Sequence, residues 1–262
     1  MNLEKNKTRE PGFISFSRVS NYNDVLVGGV DEAGRGSVLG PLVVAGVSIK
    51  RKDLLRLRKA GVRDSKMLSV KARQRFFGQI IDLAEHICIF KSECSEVDQY
   101  VFSNLLNKLE AKAMANVIEN ISAARIYVDA CDVNCTRYTE CIECELDARA
   151  RPRIFSLHHA DRTNAAVSAA SIIAKIIRDQ EIHKIRTQYA GIGSGYPCDR
   201  KTMKFVSDWV AANDSAPYFA RKSWKPLRDI LQNHREKKNV KFEGMTEGGL
   251  SLELNRSVSS MY

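Results

Sequence analysis

The chain has 262 residues, 44% of them apolar, and its 41 Lys and Arg against 31 Asp and Glu give a formal charge of +10. A chain of this length can bury a substantial core as one compact unit, and the basic excess favours a polyanionic partner, nucleic acid first. Charged residues interrupt every apolar run before the roughly 20 residues that would span a bilayer. Met1 to Arg9 lacks the apolar stretch of a secretory signal, so a cytoplasmic protein without membrane contact is expected.

In chain order, residues 1–23 are polar, contain Pro11-Gly12 and read as a flexible extension. Val25 to Val30 is an apolar run that fits a strand buried on both faces, and Leu42 to Ile49 is a second. The glycine-rich segment from Gly34-Arg35-Gly36 to Gly40-Pro41 is too long for a two-residue hairpin and reads as a functional loop. Ser69 to Ala84 has helical spacing with Ser69 as cap, and His86 to Phe90 is a strand. Glu96 to Ile121 carries a stripe of Val97, Val101, Leu105, Leu109, Ala113 and Val117 and predicts one long helix before the strand Arg125 to Val128. Thr136 to Ala150 is helical and Arg153 to Leu157 a short strand. Asn164 to Gln188 is a helix whose small residues suit close packing on a sheet, and helices over Lys201 to Ala212 and Lys225 to Arg235 follow. The pattern predicts a mixed sheet covered by helices. The expected division is an extension (1–23), a catalytic domain (24–190), a helical segment (191–235) and a flexible tail (236–262).

The seven cysteines are an odd number in a chain large enough to fold without staples. Cys131, Cys135, Cys141 and Cys144 cluster, but their spacing lacks the paired knuckles of a structural zinc site, so free thiols are expected.

Three acidic positions sit where ordinary surface acids do not. Asp31 and Glu32 close the first apolar run, Asp129 closes Ile126-Tyr127-Val128, and Asp161 precedes the helix near Asn164. Acids from separate strands can converge at the open end of a sheet, where their mutual repulsion calls for a divalent cation. Oxygen donors suit Mg²⁺ or Mn²⁺, and four carboxylates suit two such ions, an arrangement that activates water against a phosphodiester. Taken singly, each acid reads equally as a solvated turn or as a favourable charge at a helix N-terminus. Asp132, Asp179 and Asp199 flank turns or basic residues and read as ordinary surface acids.

Four stretches and a fifth make the chain resemble type 2 ribonuclease H (ribonuclease HII) in its archaeal form. They are Asp31-Glu32-Ala33-Gly34-Arg35-Gly36, Asp64-Ser65-Lys66, Tyr127-Val128-Asp129-Ala130, His158-His159-Ala160-Asp161 leading into Ser168-Ala169-Ala170-Ser171-Ile172, and Gly193-Ser194-Gly195-Tyr196-Pro197. The resemblance spans Val27 to Leu231. It implies an α/β, ribonuclease H-like fold with a five-stranded mixed sheet and a helical C-terminal segment that grips the duplex. It implies two divalent ions on Asp31, Glu32, Asp129 and Asp161, with Asp31 bridging both. It further implies that the backbone of Gly34, Arg35 and Gly36 contacts the ribose 2′-hydroxyl and that Tyr196 bonds the same hydroxyl and stacks on the next sugar. The substrate would be RNA paired with DNA, or a single ribonucleotide embedded in DNA, cut on its 5′ side to leave 3′-hydroxyl and 5′-phosphate ends. Lys66, Arg221, Lys222 and Lys225 are expected at phosphates.

The chain departs from the family pattern at Ser37, Met67 and His159, which stand where Pro and two Lys residues are common. His159 places a titratable cation beside the metal site. Leu250 to Tyr262 lacks the glutamine-and-aromatic motif with which archaeal members often bind the replication clamp, which puts clamp binding in doubt; a monomer is expected. Ribonuclease HIII differs by a sizeable N-terminal domain, for which residues 1–23 are too few.

Overall fold

The computed structural model describes residues 4–5, 13–17, 25–62, 68–147 and 152–239. The core sheet is built from β3 (Leu26–Ala33), β4 (Leu42–Lys50), β5 (Ala84–Ser92), β6 (Arg125–Asp129) and β7 (Arg153–Leu157). β3, β4 and β5 pair antiparallel, whereas β6 and β7 run parallel to β3, which gives the expected five-stranded mixed sheet. Two strands from the N-terminal segment, β1 (Glu4–Lys5) and β2 (Phe13–Ser17), extend it, β2 pairing antiparallel with β5, so the full order is β1-β2-β5-β4-β3-β6-β7. The segment expected as an extension therefore contributes sheet.

Alternation along β4 decides where the helices sit. Val43, Ala45, Val47 and Ile49 face a layer of α1 (Arg51–Lys59), α2 (Val70–Leu83) and α7 (Ala165–Gln188), where Leu57, Phe76, Ile80, Ala169, Ile172 and Ile173 are buried. Val44, with Val30, Ile126 and Val128, faces α4 (Leu106–Glu119) and α5 (Cys135–Glu145), where Met114, Val117, Ile118, Tyr138 and Ile142 close a second core. The N-terminal turn of α7 lies so close on β3 that a Cβ at Gly29 would stand 2.1 Å from the carbonyl carbon of Ala166.

Several helices differ from expectation. The stripe from Glu96 to Ile121 is split into α3 (Cys94–Phe102) and α4, with Asn104 at φ 58° in the break. Asparagine tolerates this left-handed geometry better than most residues, so no Gly or Pro marks the corner. α5 ends at Glu145, because Leu146 is extended. α1 follows β4 directly without a side-chain cap.

The C-terminal part, α8 (Arg200–Asn213) and α9 (225–239), forms its own apolar cluster. Val206, Val210, Phe219 and Leu227 pack there with Ile182 of α7 and with Val38 and Leu39 of the glycine-rich loop. The helix expected to stop at Arg235 runs on to residue 239. No helix among the described residues is long and apolar enough to cross a membrane.

Candidate active site

β3 does not stop at Val30. Its antiparallel pairing with β4 continues through Asp31↔Ala45, Glu32↔Val44 and Ala33↔Val43, so both acids lie within the strand. The parallel partner β6 ends at Asp129, one residue beyond the Val30↔Val128 pair, which places Asp129 beside Asp31 at the open end of the sheet. The Ala160 amide donates to Asp129 Oδ1 at 2.7 Å, tying the end of β6 to the short helix α6 (Ala160–Thr163), which carries Asp161. The turn into α6 uses His159 at φ 54°, an exposed residue in the left-handed region. Ser168 Oγ of α7 donates to the Asp161 carbonyl, so the close approach at Gly29 also seats Asp161.

The four acids sense one another. Asp31 is 4% exposed; burial above all, then Asp129, pushes its carboxyl up from 3.8 to about 7, with a smaller push from Asp161, while hydrogen bonds from Ser171 and the Glu32 amide hold it down. Glu32 is raised well above the usual carboxylate range by burial, then by Asp31, Glu110 and Asp129. A cluster in this state favours binding a cation, because a cation restores the charged form that burial and repulsion oppose.

Strand alternation gives two of the donors different neighbours, although their carboxyls still hydrogen-bond each other and line one cavity. Asp31, next to Ala33 on the α7 face, meets Ser171, whereas Glu32, on the face of Val30, meets Glu110 of α4. Among the described residues no three acidic, imidazole or thiol groups already converge as a metal cage. The donor set nevertheless fits hard divalent ions: it is all carboxylate oxygen, and Glu32 Oε2 is buried with no hydrogen-bond partner.

A cavity of about 450 Å³ opens over these acids, lined by Asp31, Glu32 and Asp129, by Ala33 to Gly36, and by Arg73, Ser171, Lys175 and Tyr196. Asp161, 1% exposed, does not line it. Gly34 has φ 88°, and a Cβ there would come within 2.8 Å of the Pro41 carbonyl oxygen, so the turn requires glycine. At Gly36 a Cβ would meet nothing within 4 Å; the protein itself leaves that space open. The loop is pinned from the C-terminal side, since Val38 and Leu39 amides donate to the Gly195 carbonyl at 2.8 and 3.1 Å. Tyr196 follows, its ring 4.3 Å below the Arg178 guanidinium and 5.2 Å from Lys175 Nζ.

The basic residues expected at phosphates divide. Arg221 is fully buried and donates to the carbonyls of Gly40 and Arg35, so it shapes the loop and cannot meet a phosphate; a buried guanidinium must be spent on internal acceptors. Lys222 is exposed, and Lys225 is exposed and pairs with Asp229 at 2.6 Å. Lys66, with Asp64 and Ser65, lies outside the described residues. The side chain of Arg35 is held by Glu110 and Asn107. Asp132 pairs with Arg137, Asp179 lies among Arg73, Lys175 and Arg178, and Asp199 caps α8, its carboxyl pulled down to about 2 by the Ser194 and Lys201 amides. Sequence reasoning missed Arg73, Lys175, Ser171 and Glu110 as neighbours of the site. Ser171 lies inside a stretch that carried the resemblance, and Glu110 breaks an apolar stripe. All seven cysteines are free thiols.

Compared with known proteins, residues 28–227 match the family model of ribonuclease HII. The chain belongs to the ribonuclease HII family. Ribonuclease HII of Cenarchaeum symbiosum is 45% identical over 206 residues, 79% of this chain and 98% of that one. That of Pyrococcus furiosus is 40% identical over 215 residues, 81% and 94% respectively. Among solved structures, ribonuclease H2 from Pyrococcus horikoshii superposes with a TM-score of 0.74 at 36% identity, covering 80% of this chain and 99% of its own. The ribonuclease HII in a PCNA:RNase HII complex from Archaeoglobus fulgidus gives 0.69 at 34%, covering 77% and 96%. A ribonuclease HIII solved with Mn²⁺ shares the fold at 18% identity and a TM-score of 0.64. The protein is thus a ribonuclease H, a nuclease.

Proposed function

We propose that this ribonuclease HII hydrolyses the RNA strand of RNA/DNA hybrids and nicks on the 5′ side of single ribonucleotides embedded in duplex DNA, leaving 3′-hydroxyl and 5′-phosphate ends. Two Mg²⁺ or Mn²⁺ ions would be held by Asp31, Glu32, Asp129 and Asp161. When bound, such ions supply an activated water and neutralise charge developing on the phosphate. The observation that carries the reading is the shared cavity, where Asp31, Glu32 and Asp129 stand beside the open backbone at Gly36 and the ring of Tyr196.

The chain's own residues have distinct tasks in this reading. The amides of the Gly34-Arg35-Gly36 turn meet the ribose 2′-hydroxyl, which is possible because no side chain fills the space at Gly36. Tyr196, its ring steadied by Arg178 and Lys175 of α7, bonds the same hydroxyl and covers the neighbouring sugar. Ser171 keeps Asp31 oriented, and the Ala160 amide does the same for Asp129. Lys66, Lys222 and Lys225, together with Arg73 and Lys175 on the cavity wall, contact phosphates. The segment 191–235, packed on the glycine-rich loop, grips the duplex. Such an activity belongs in ribonucleotide excision repair and DNA replication in the cytoplasm, the enzyme acting as a monomer.

The test is a duplex with one ribonucleotide, incubated with purified protein and Mg²⁺, Mn²⁺ or EDTA. A single metal-dependent cut 5′ to the ribonucleotide is expected; binding without any cut with either metal would overturn the reading.

A further inference from the structure

Glu110 is fully buried, yet it lies outside the cavity and no step of the reaction uses it. Its carboxylate grips Arg35, with Nε 2.8 Å from Oε1 and 3.0 Å from Oε2. One turn earlier on the same face of α4, Asn107 Oδ1 accepts from the other end of the guanidinium at 2.8 Å. Asn107 is itself fixed, since its Nδ2 donates to Asp132 Oδ2 at 3.1 Å and Asp132 is bonded by Arg137 and by the Asn134 amide. From the opposite side the buried Arg221 donates to the Arg35 carbonyl at 2.8 Å. Arg35 is therefore clamped at both side chain and backbone, between two glycines whose peptide units have no side chains of their own to steady them.

From this geometry we propose that Glu110 is a positioning residue for ribose recognition, acting through Arg35 to fix the peptide units on either side of it. The inference rests on the reading that this turn meets the 2′-hydroxyl. A buried carboxylate cannot be left alone without a large desolvation penalty, so Glu110 and Arg35 stay together throughout turnover. A fork of two fixed acceptors, Asn107 and Glu110, matches the planar guanidinium and specifies its orientation, which a lysine in the same place would not. A displacement of about 1 Å at a substrate-positioning group can cost roughly 10²-fold in rate, so a turn held this firmly sets substrate fit. Because Glu110 neighbours Glu32 and its buried Oε1 accepts no hydrogen bond, a rival role is to hold an ion; the hydrogen bond from Arg35 to Oε2 and the ion pair to Oε1 tie the carboxylate to the turn and favour the positioning role.

The experiment compares wild type, Glu110→Gln and Arg35→Lys on a duplex with one ribonucleotide, measuring kcat, KM and the Mn²⁺ concentration for half-maximal rate, with melting checked for each. For Glu110→Gln, KM is expected to rise about tenfold with kcat within about twofold, and the Mn²⁺ requirement to stay put. A natively melting Glu110→Gln with wild-type KM overturns the proposal, as does a shifted Mn²⁺ requirement at unchanged KM, which would make Glu110 part of the ion site. If Glu110→Gln does not fold, Arg35→Lys decides, since it keeps a charge for Glu110 but lacks the fork: a raised KM supports the proposal and a wild-type KM overturns it. A wild type that fails to cut at the embedded ribonucleotide removes the parent reading, and this inference with it. A wild type that cuts, matched by both variants, removes the inference alone.

Discussion

Replacing Asp31 with Asn is expected to destroy cleavage and, in metal-free protein, to raise stability. In the fold Asp31 takes up its proton near pH 7, against 3.8 for an unhindered carboxylate, because it is buried beside Asp129. Between those two values the folded state holds a proton that the unfolded state has lost, so stability falls as pH rises through the window and levels off above about 7. The rise from 3.8 to about 7 corresponds to at most about 4 kcal/mol of cost above that pH. Asparagine keeps the shape and removes the charge. At about 2–4 °C per kcal/mol for a domain of this size, Asp31→Asn should melt roughly 5–15 °C above wild type in EDTA at pH 8. At pH 5 most of the cost has gone and the gap should shrink to a few degrees. Mn²⁺ at pH 8 should raise the wild-type melting temperature and leave that of Asp31→Asn nearly unchanged. Differential scanning calorimetry at both pH values, with and without Mn²⁺, makes the check. A variant that melts at or below wild type at pH 8 in EDTA would refute the claim that the folded site stores carboxylate repulsion for a cation to relieve.

Three further outcomes follow from the same geometry. Gly36→Ala should fold with a native melting curve, since its Cβ meets no protein atom within 4 Å, yet cut a ribonucleotide-containing duplex at least tenfold more slowly; native kinetics would show that substrate does not approach there. Gly29→Ala should lose several kcal/mol in a urea titration, because its Cβ would stand 2.1 Å from α7 backbone, and a loss under about 1 kcal/mol would contradict that packing. Tyr196→Ala should weaken cutting at an isolated ribonucleotide more than cutting of a long hybrid, and equal losses on the two substrates would count against its proposed task at the ribose.

Three acids of the candidate site, Asp31, Glu32 and Asp129, stood out in the sequence because they follow apolar runs. The run Ile126-Tyr127-Val128 marks a parallel strand that Asp129 closes, and Asp31, just beyond the run Val25 to Val30, is buried, where a charge is costly unless used. What periodicity could not supply was orientation. Asp31 and Glu32 read as a pair and their carboxyls do hydrogen-bond each other, but strand alternation gives them different further neighbours, Ser171 of α7 for Asp31 and Glu110 of α4 for Glu32. Arg221 beside Lys222 reads as an exposed basic pair, and only the Gly40 and Arg35 carbonyls reveal why it is buried. The corner at Asn104 escaped because the apolar stripe keeps its phase across the break. α1 escaped because Arg51 to Lys59 is largely charged, with only Asp53 and Leu57 buried. β1 and β2 gain their hydrogen bonds from β5 and from each other, a partnership far away in sequence.

The most direct measurement is a crystal of the enzyme with a ribonucleotide-containing duplex and Mn²⁺, read for manganese anomalous scattering. Two peaks coordinated by Asp31, Glu32, Asp129 and Asp161 beside the ribose at the Gly34-Arg35-Gly36 turn are predicted. Manganese bound elsewhere, or a duplex whose ribose lies away from that turn, would contradict the account.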